Sequence, residues 1–398
     1  RNMKLRRFIA SWLLLIPFVC MGQETDSLTL AQQDSLAITE SDDFVKASIL
    51  VATPSNVLYS CAGHTGIRMQ CPYYDLDVVY TYESESVKNR VLTFLMGGLK
   101  MGMTSVPTER LLSGFGSEGR GITEYPLNIP LDKRKSLWQY LDGKVEEGMN
   151  LPYDYLNRGC ALSCFRAIRT AVLPDTISFE EWDEKFIKKT RRALLGDRIS
   201  DFPWNRFLIY SIVGAEADRS VTPINKIVLP ADLIDVLQKA AINGQPVLGD
   251  VNELLCQTVE IEKAGWATPT VVALVFLMLA IVSCFRWQSP LSILLLIVQT
   301  MIGLFITYLV CFSKLPCTNF SWLLIPFNPL PLLLWYWRRW WLLPFGLVCC
   351  VCSIVMFAHK ENPLVDPAHI ILVFALAVNY VGQWYQIRKT NQLKQIKR

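Results

Sequence analysis

The uneven distribution of apolar residues is the feature of this chain that most restricts its fold. Nearly all acidic residues fall before position 263, and five apolar segments follow, at about 267–285, 290–312, 320–337, 340–358 and 370–386. Each segment is close to the roughly 17–25 residues that a helix needs to cross a bilayer. The 398-residue chain, with 52% hydrophobic and 19% charged residues, is also more apolar than ordinary soluble proteins. We therefore predict a polar N-terminal domain followed by an all-α domain of five transmembrane helices.

The basic residues predict how these helices are oriented. If the five segments alternate across the membrane, Arg286, the pair Arg338 and Arg339, and the basic tail at 388–398 all lie on one side. Cytoplasmic loops carry an excess of Lys and Arg, so this side is the cytoplasm. We expect membrane helices within 266–387, a cytoplasmic tail at 388–398 and an N-terminal domain on the other side of the membrane, outside the cytoplasm.

The third apolar segment contains residues that interrupt helices. Its sequence, CTNFSWLLIPFNPLPLLLWYW, places three prolines and Asn328 inside the apolar run. A proline removes a backbone donor, and a membrane tolerates the break only where protein or water satisfies the freed carbonyl groups. A kinked packing helix and a break that handles lipid both fit this pattern. In the second case Asn328 is a candidate for positioning a substrate.

The first residues are typical of an export signal. A basic start at Lys4–Arg7 precedes an apolar stretch at 8–19 that is short for a membrane span. We predict a signal peptide at 1–22, with lipid modification of Cys20 as the alternative. Residues 23–44 are polar and acidic, which is typical of a flexible linker.

The remaining polar part, 45–265, contains strand patterns followed by helix patterns. The run ASILVAT at 47–53 predicts a buried strand, and the side chains from His64 to Gln70 alternate between a polar and an apolar face, as in a strand. Residues Asp77–Tyr82 have the pattern of a hairpin partner, and 131–148 has that of a helix. This order indicates an α+β domain built on antiparallel strands.

The segment between these patterns is harder to assign. Residues 86–98, SVKNRVLTFLMGG, have a helix-like pattern, and glycines near 114–121 indicate loops. The stretch ITEYPLNIP that follows predicts another strand. The net charge of +4, without a basic stripe carrying interleaved aromatic residues, makes a nucleic-acid partner unexpected.

Two residues of the polar domain are of the types used in nucleophilic catalysis. His64, in the frame AGHTG, is its only histidine, and Cys160 lies in YDYLNRGCALSCFRAIR. Apolar residues recur at helical spacing after Cys160, which places this cysteine at or near a helix N-terminus. There the helix dipole favours the thiolate and can lower the thiol pKa below its free value of about 8.5. The backbone N–H groups at Cys160 and Ala161 could stabilise an oxyanion.

A structural role for Cys160 also fits the sequence. In an oxidising compartment cysteines usually pair, and Cys160 with Cys164, or Cys61 with Cys71, are candidate disulfides. The predicted mature domain has five cysteines, so at least one has no partner inside it. The spacing alone does not decide whether Cys160 is a disulfide or core cysteine or a nucleophile. One histidine without a Cys-x-x-Cys pair does not call for a metal.

An ordered set of motifs resembles a known family. The stretches GHTGIRM, DLDVVYTYE, GRGITEYPLNIP and YDYLNRGCA resemble, in this order, the N-terminal periplasmic domain of the Bacteroidota lipoprotein N-acyltransferase family (Lnb). The apolar tail with NPLPLLL is similar to the membrane part of that family. The resemblance implies a permuted papain-like fold in which Cys160 is the nucleophile and His64 the base that activates it. It differs from the family pattern at Arg158-Gly159 and Tyr82-Glu83.

The resemblance also implies an activity and its partners. A fatty acyl chain would pass from a phospholipid, through a thioester at the cysteine, to the N-terminal amine of a lipoprotein at the inner membrane, without a cofactor. Asp77, Tyr80 and Arg68 are candidates for orienting His64. Arg120 and Glu124 could position the substrate, or form a pair that anchors their loop.

Two other functions fit the same residues. One is a membrane-tethered cysteine amidase or peptidase that acts on the cell envelope. The other is a diverged, non-catalytic membrane protein in which Cys160 is bridged. The three hypotheses differ in whether Cys160 is a free thiol and in whether it accepts an acyl group.

Overall fold

The computed structural model describes residues 38–56, 60–87, 89–179, 182, 184–260, 265–285, 289–337 and 341–396. The predicted signal peptide and the first part of the predicted linker, up to residue 37, lie outside the described residues. The polar part is α+β with antiparallel sheets, as predicted, and a set of apolar helices follows it.

A seven-stranded antiparallel sheet forms the centre of the polar part, in the order β10-β5-β1-β2-β3-β4-β6. A smaller sheet has the order β7-β8-β9. The strands are β1 Lys46–Ala52, β2 His64–Cys71, β3 Leu76–Ser84, β4 Lys100–Pro107, β5 Ile122–Pro126, β6 Leu151–Pro152, β7 Ile177–Phe179, β8 Ala240–Ile242, β9 Gln245–Pro246 and β10 Asn252–Leu255.

The helices lie between and after these strands. Those of the polar part are Val91–Leu95, Thr108–Ser117, Leu131–Glu146, Tyr155–Arg158, Cys160–Ala171, Glu184–Lys188, Arg191–Arg198, Pro203–Ile212 and Pro230–Leu237. The apolar helices are Pro269–Phe285, Ser289–Phe312, Leu330–Trp337, Leu342–Ala358 and Pro367–Ile396. We refer to Cys160–Ala171 as the cysteine helix.

Strand β2 has the two-faced pattern that its sequence predicts. Thr65, Ile67 and Met69 are buried, whereas His64 and Arg68 are partly exposed on the other face. The hairpin with β3 is also confirmed, because Gln70 pairs with Asp77 and Gly66 with Thr81. The alternation arises because successive side chains of a strand point to opposite faces of the sheet.

The two faces of the sheet are covered by different helices. The face with Ile67 and Met69 forms the main core with the cysteine helix and Leu131–Glu146. The other face, with Leu50 and Val79, packs against Thr108–Ser117. Each fully buried large apolar side chain contributes roughly 1.5–3 kcal/mol, so these two contacts fix the sheet between its helices.

Two expectations for the segment between β3 and β5 were only partly right. The stretch 86–98 is helical only at Val91–Leu95, and of the glycine-containing stretch 114–121 the first half lies in the helix Thr108–Ser117 and the second half forms the predicted loop. The strand β4 between them was not predicted.

The apolar helices only partly confirm the predicted membrane domain. Pro290–Phe312 and Pro367–Leu393 are long and apolar enough to cross a membrane, and only 33% of the most apolar window of each is buried inside the protein. Pro269–Cys284 and Leu342–Ala358 are apolar but shorter. The five predicted spans are thus represented by two candidate spans and two shorter apolar helices among the described residues. The predicted basic tail is, up to position 396, part of the last helix, Pro367–Ile396.

The third predicted span does not form one helix. It has a 3₁₀ turn at Trp322–Leu324, a break and then the helix Leu330–Trp337. Eight helical residues are roughly 12 Å long, much less than the roughly 30 Å hydrocarbon core. The side-chain amide of Gln299 donates to the carbonyl of Pro326 at 2.7 Å. A protein group therefore satisfies this carbonyl at the break. Asn328, predicted as a substrate-positioning candidate, accepts from the N–H of Leu330 over 3.2 Å and thereby caps this helix.

The polar part and the apolar helices contact each other through a loop at 313–321, which we call the docking loop. The N–H of Gly214 donates to the carbonyl of Cys317 over 2.5 Å, and the N–H of Ala215 to that of Phe320 over 2.6 Å. A second contact lies farther along the chain, where the guanidinium of Arg206 donates to the carboxylate of Asp366 over 2.7 Å. The two parts therefore share main-chain hydrogen bonds as well as side-chain contacts.

Candidate active site

Cys160 is the first residue of the cysteine helix, as the sequence predicts. The turn before it begins at Asp154, whose carboxylate accepts from the N–H of Asn157 over 3.2 Å. Gly159 then takes an extended conformation as the N-cap. A Cβ atom there would lie 3.1 Å from the carbonyl oxygen of Tyr155, so a glycine fits this close approach. The sulfur is thereby placed at the start of a helix whose apolar face is buried.

The Cys160 thiol is partly exposed and lies against the start of β2. Burial raises its pKa, and hydrogen bonds from the backbone N–H groups of Thr65 and Ala161 lower it by less. The expectation that the helix dipole lowers this pKa was therefore wrong, because the loss of hydration outweighs the N–H groups at the helix end. The resting group is a thiol at neutral pH. The two N–H groups remain available to a negative charge that develops beside the sulfur.

Cys160 is not bridged in the structure. All cysteines within the described residues carry free thiols, including Cys61, Cys71 and Cys164. The Cys164 thiol, one turn along the helix, makes a 3.2 Å hydrogen bond with the hydroxyl of Thr65. Neither candidate disulfide is therefore formed. Through this hydrogen bond, Thr65 links β2 to the cysteine helix.

His64 binds a residue that the sequence did not suggest. Its Nε2 lies 2.5 Å from Oγ1 of Thr81, which is completely buried. Thr81 pairs with Gly66 across the two strands, so the imidazole reaches it by crossing the space over Gly66. A Cβ atom on Gly66 would lie only 2.7 Å from Cγ1 of Val79 and 2.9 Å from the carbonyl oxygen of Tyr80. The spacing His-x-Gly and the hairpin register together were the signal for this contact.

The surroundings of His64 keep its imidazole neutral. Burial lowers its pKa from 6.5 to about 4, and the positive charge of Arg120 acts in the same direction. The guanidinium of Arg120 lies over the ring of Phe115, 4.4 Å from its centroid, and the Phe115 and His64 rings are 6.4 Å apart. At neutral pH the His64 ring therefore has one nitrogen that can accept a proton.

His64 and Cys160 both lie next to Thr65 but do not bond to each other. Thr65 directs its hydroxyl toward the cysteine helix, and His64, one residue earlier, projects from the other face with Val79 and Phe115. Among the described residues there is no hydrogen bond between the imidazole and the thiol. Nε2 is the ring nitrogen in contact with Thr81, and Nδ1 takes no part in this contact.

The predicted orienting residues Arg68 and Asp77 bond to each other rather than to His64. The guanidinium of Arg68 makes two hydrogen bonds to Asp77, of 2.8 and 2.5 Å, and a third of 2.9 Å to Glu124. Ser48 donates to the same oxygen of Glu124 over 2.6 Å. These paired charges join strands β1, β2, β3 and β5 on the face that also carries His64.

Tyr80 and Arg120 are also engaged elsewhere. The hydroxyl of Tyr80 donates to the carboxylate of Asp142 and accepts from the indole N–H of Trp138 over 2.9 Å, on the face away from His64. Arg120 donates to the carbonyl of Thr53 over 2.8 Å. The Arg120–Glu124 pair is therefore not formed, since Glu124 bonds to Arg68. Arg120 anchors the loop after β1 instead.

A buried arginine holds the turn that precedes Cys160, and the sequence analysis did not identify it. Arg191 donates to the side-chain oxygen of Asn157 over 2.8 Å and to the carbonyl of Leu156 over 3.3 Å. Its other nitrogen donates to the backbone carbonyl of Glu216 over 2.9 Å. An arginine in a polar stretch has no distinguishing pattern in the sequence, because its partners come from distant segments.

The fold and this site define a membrane protein whose α+β domain presents a free thiol at the start of a buried helix. Residues 36–192 match the family model described as the Lnb N-terminal periplasmic domain. His64 and Cys160 both lie within the matched residues. The match and the two long apolar helices describe a membrane protein with a periplasmic N-terminal domain. Comparison with curated proteins and with solved structures gives no match.

Proposed function

We propose that this protein is a membrane-bound thiol acyltransferase. It transfers a fatty acyl chain from a phospholipid, through a thioester at Cys160, to the N-terminal amine of a lipoprotein. The observation that carries the proposal is the surrounding of Cys160: a partly exposed free thiol at a helix N-terminus, with the backbone N–H groups of Thr65 and Ala161 directed at its sulfur. Donors placed in this way stabilise the oxyanion of acyl transfer.

The reaction proceeds in two displacements. The Cys160 thiol gives its proton to His64, and the sulfur attacks the ester carbonyl of the phospholipid. The carbon–oxygen bond then breaks, and the lysophospholipid leaves with the proton from His64. In the second step the neutral N-terminal amine attacks the thioester, the carbon–sulfur bond breaks, and the proton lost by the amine restores the thiol. Dividing one difficult aminolysis into two steps is the advantage of covalent catalysis.

Thr81 is the residue that orients the base in this proposal. Its hydroxyl, 2.5 Å from Nε2 of His64, accepts from this nitrogen and so leaves Nδ1 as the proton acceptor. A base with a partner on its second nitrogen is the arrangement found around activated nucleophiles in general. Thr81 takes the place proposed for Asp77, Tyr80 or Arg68, all of which bond to other groups.

The role of His64 requires a movement. The imidazole and the thiol are not hydrogen-bonded in this structure, and catalytic hydrogen bonds often tighten only when substrate is bound. His64 is the first residue of β2, and Gly63 before it has a φ of +82°. We propose that a rotation at this strand end brings Nδ1 toward the sulfur while Nε2 keeps its contact with Thr81.

The position of the site relative to the apolar helices supports a lipid donor. Leu315 and Cys317 of the docking loop pack in one buried cluster with Cys61 and Leu156. Tyr153 lies close to both Cys317 and Cys160, and its pKa is raised chiefly by burial and then by these two groups. The thiol is therefore beside the loop that follows a candidate membrane span, where an ester of a phospholipid can approach it.

The test is a search for the acyl-enzyme. The full-length protein is incubated with phosphatidylethanolamine vesicles without an acceptor, and the mass of the Cys160 peptide is measured. We expect an acyl adduct on Cys160 in the wild type and in Cys256→Ser, which removes an exposed cysteine outside the site. Cys160→Ala and His64→Ala should lack the adduct. An adduct that persists in His64→Ala would exclude the histidine as the base.

One observation favours a second candidate, a non-catalytic member of the family. The missing hydrogen bond between His64 and Cys160 is what a protein that has lost the reaction would show. Absence of any adduct in folded wild type, with phospholipid and acceptor both present, would support this candidate. Release of free fatty acid without transfer to an amine would instead indicate a hydrolase.

A further inference from the structure

The helix Val91–Leu95, which we call the tip helix, presents apolar side chains to its surroundings. Val91 is 56% exposed and Leu92 74% exposed, although the helix also carries Phe94 and Leu95, which pack inward. Single exposed apolar residues are common on protein surfaces, so the exposure alone says little. The position of the tip helix in the molecule indicates what covers these exposed side chains.

The end of the tip helix contacts the docking loop, and this loop directly follows a candidate membrane span. The N–H of Lys314 donates to the carbonyl of Met96 over 3.0 Å, and the hydroxyl of Tyr308 contacts the Met96 sulfur. A Cβ atom on Gly97, whose φ is +72°, would lie 2.7 Å from the backbone nitrogen of Leu315. The end of the tip helix thus lies in main-chain contact with the end of Ser289–Phe312.

The apolar surface of the tip helix continues that of the membrane helix. Leu304, Phe305 and Phe312, within the last turns of Ser289–Phe312, are exposed, and this helix is long and apolar enough to cross a membrane. We propose that the tip helix inserts Val91 and Leu92 into the hydrocarbon boundary of the same lipid leaflet. The lipid bilayer, rather than another protein, is the partner that covers this surface, because the adjoining surface already requires lipid.

The tip helix also leads to the candidate active site. The ring of Phe94 meets the ring of Tyr153 edge-on, with centroids 5.3 Å apart, and Tyr153 is the neighbour of Cys160 described above. Insertion of the tip helix therefore places the entrance to Cys160 at the lipid surface. This consequence rests on the proposed function, whereas the insertion itself does not.

Photo-crosslinking tests the insertion without relying on activity. The full-length protein, with p-benzoylphenylalanine in place of Leu92, is irradiated in vesicles of phosphatidylethanolamine and phosphatidylglycerol, and adducts are identified by mass. The control carries the same group in place of Val251, which is 56% exposed and precedes the strand at the opposite edge of the sheet. We expect a phospholipid adduct at position 92 and not at 251. Equal labelling of both positions, or none at 92, would overturn the proposal.

A pair of matched valine variants tests the consequence for catalysis. Val91→Asp and Val251→Asp introduce the same charge at two valines of equal exposure. Val91→Asp should slow acylation of Cys160 by vesicle phospholipid about tenfold, the effect of losing one apolar side chain from lipid. Val251→Asp should not slow it, and neither variant should affect a soluble short-chain thioester. If vesicle and soluble donors are affected equally, the tip helix does not deliver lipid, whatever the outcome of the crosslinking.

Discussion

Nε2 of His64 and Oγ1 of Thr81 are 2.5 Å apart, joined across the space over Gly66 on the sheet face away from the cysteine helix. The same imidazole is not hydrogen-bonded to Cys160, the residue with which the family resemblance pairs it. The contact thus identifies the group that fixes the histidine in the resting protein. In the proposed mechanism it leaves Nδ1 as the ring nitrogen that accepts the proton.

Replacing Thr81 by Val should reduce acylation of Cys160 about fivefold, since a net hydrogen bond of about 1 kcal/mol that orients the base is lost. Thr81→Ser should recover most of this loss because it restores the hydroxyl. The matched control is Thr104→Val on the neighbouring strand, a threonine whose hydroxyl donates to the Thr81 carbonyl over 3.4 Å and does not contact His64. The measurement is the initial acylation rate of the three variants. Equal losses in Thr81→Val and Thr104→Val would indicate that the Thr81 hydroxyl has only a structural role.

The free energy of unfolding should decrease as the pH falls from about 6.5 to about 4. The His64 pKa is about 4 in the folded protein and 6.5 in its ordinary state, so within this window the unfolded chain binds a proton that the folded chain does not. The steepest loss is about 1.4 kcal/mol per pH unit. Urea unfolding of the full-length protein in detergent, compared between wild type and His64→Gln, isolates this contribution. Parallel pH profiles of the two proteins would contradict it.

Alkylation of Cys160 by iodoacetamide should be slow at pH 7 and should rise steadily beyond pH 9. Its pKa is raised by burial, so the unreactive thiol persists at neutral pH in the resting protein. The rate is followed by mass spectrometry of the Cys160 peptide, with a short unstructured cysteine peptide as reference. Because the imidazole does not contact the thiol, His64→Ala should show the same profile. A rate that levels off below pH 7 would show that the thiolate is already formed.

Arg191→Met should destabilise the protein by about 3–5 kcal/mol, because it leaves Glu216 and the Asn157 turn without their buried partner. Arg219→Met is the natural comparison, since Arg219 pairs with the same Glu216 carboxylate at 2.9 Å but is 72% exposed, against 1% for Arg191. Exposed pairs contribute about 0–1 kcal/mol. Thermal unfolding midpoints should therefore separate the two variants clearly, and similar midpoints would mean that Arg191 is not essential to the turn.

Local patterns were sufficient to predict the central hairpin and the cysteine helix. The two-residue alternation after His64 and the helical spacing after Cys160 each follow from packing one face of an element against the core, and both elements form as predicted. The helix Thr108–Ser117 was missed because its two glycines and two serines have low helix propensity. Its stability comes from the contact of Leu111 and Phe115 with the sheet, which a local pattern does not contain.

The sequence placed Cys160 at a helix start and His64 on a strand, but it did not predict which residues contact them. A cysteine and a single histidine are visible by type, whereas Thr81 becomes significant only once the register places it opposite Gly66. The thiol pKa was predicted in the wrong direction because the sequence shows the helix end but not how deeply it is buried. Arg68 and Asp77 were expected near His64 and do lie on its face, yet each satisfies the other.

The hydrogen bonds from Gly214 and Ala215 to the docking loop involve main-chain atoms only, and a Cβ atom at Gly214 would lie 2.2 Å from the carbonyl oxygen of Phe320, so this attachment requires a glycine there. The two bonds restrict the motion of the polar part relative to the apolar helices. Under the proposed function, this restriction would hold the sulfur at a nearly constant height above the bilayer, and the protein would select donors by the depth of their ester carbonyl. Because that depth is almost the same in all glycerophospholipids, we expect broad tolerance toward headgroups.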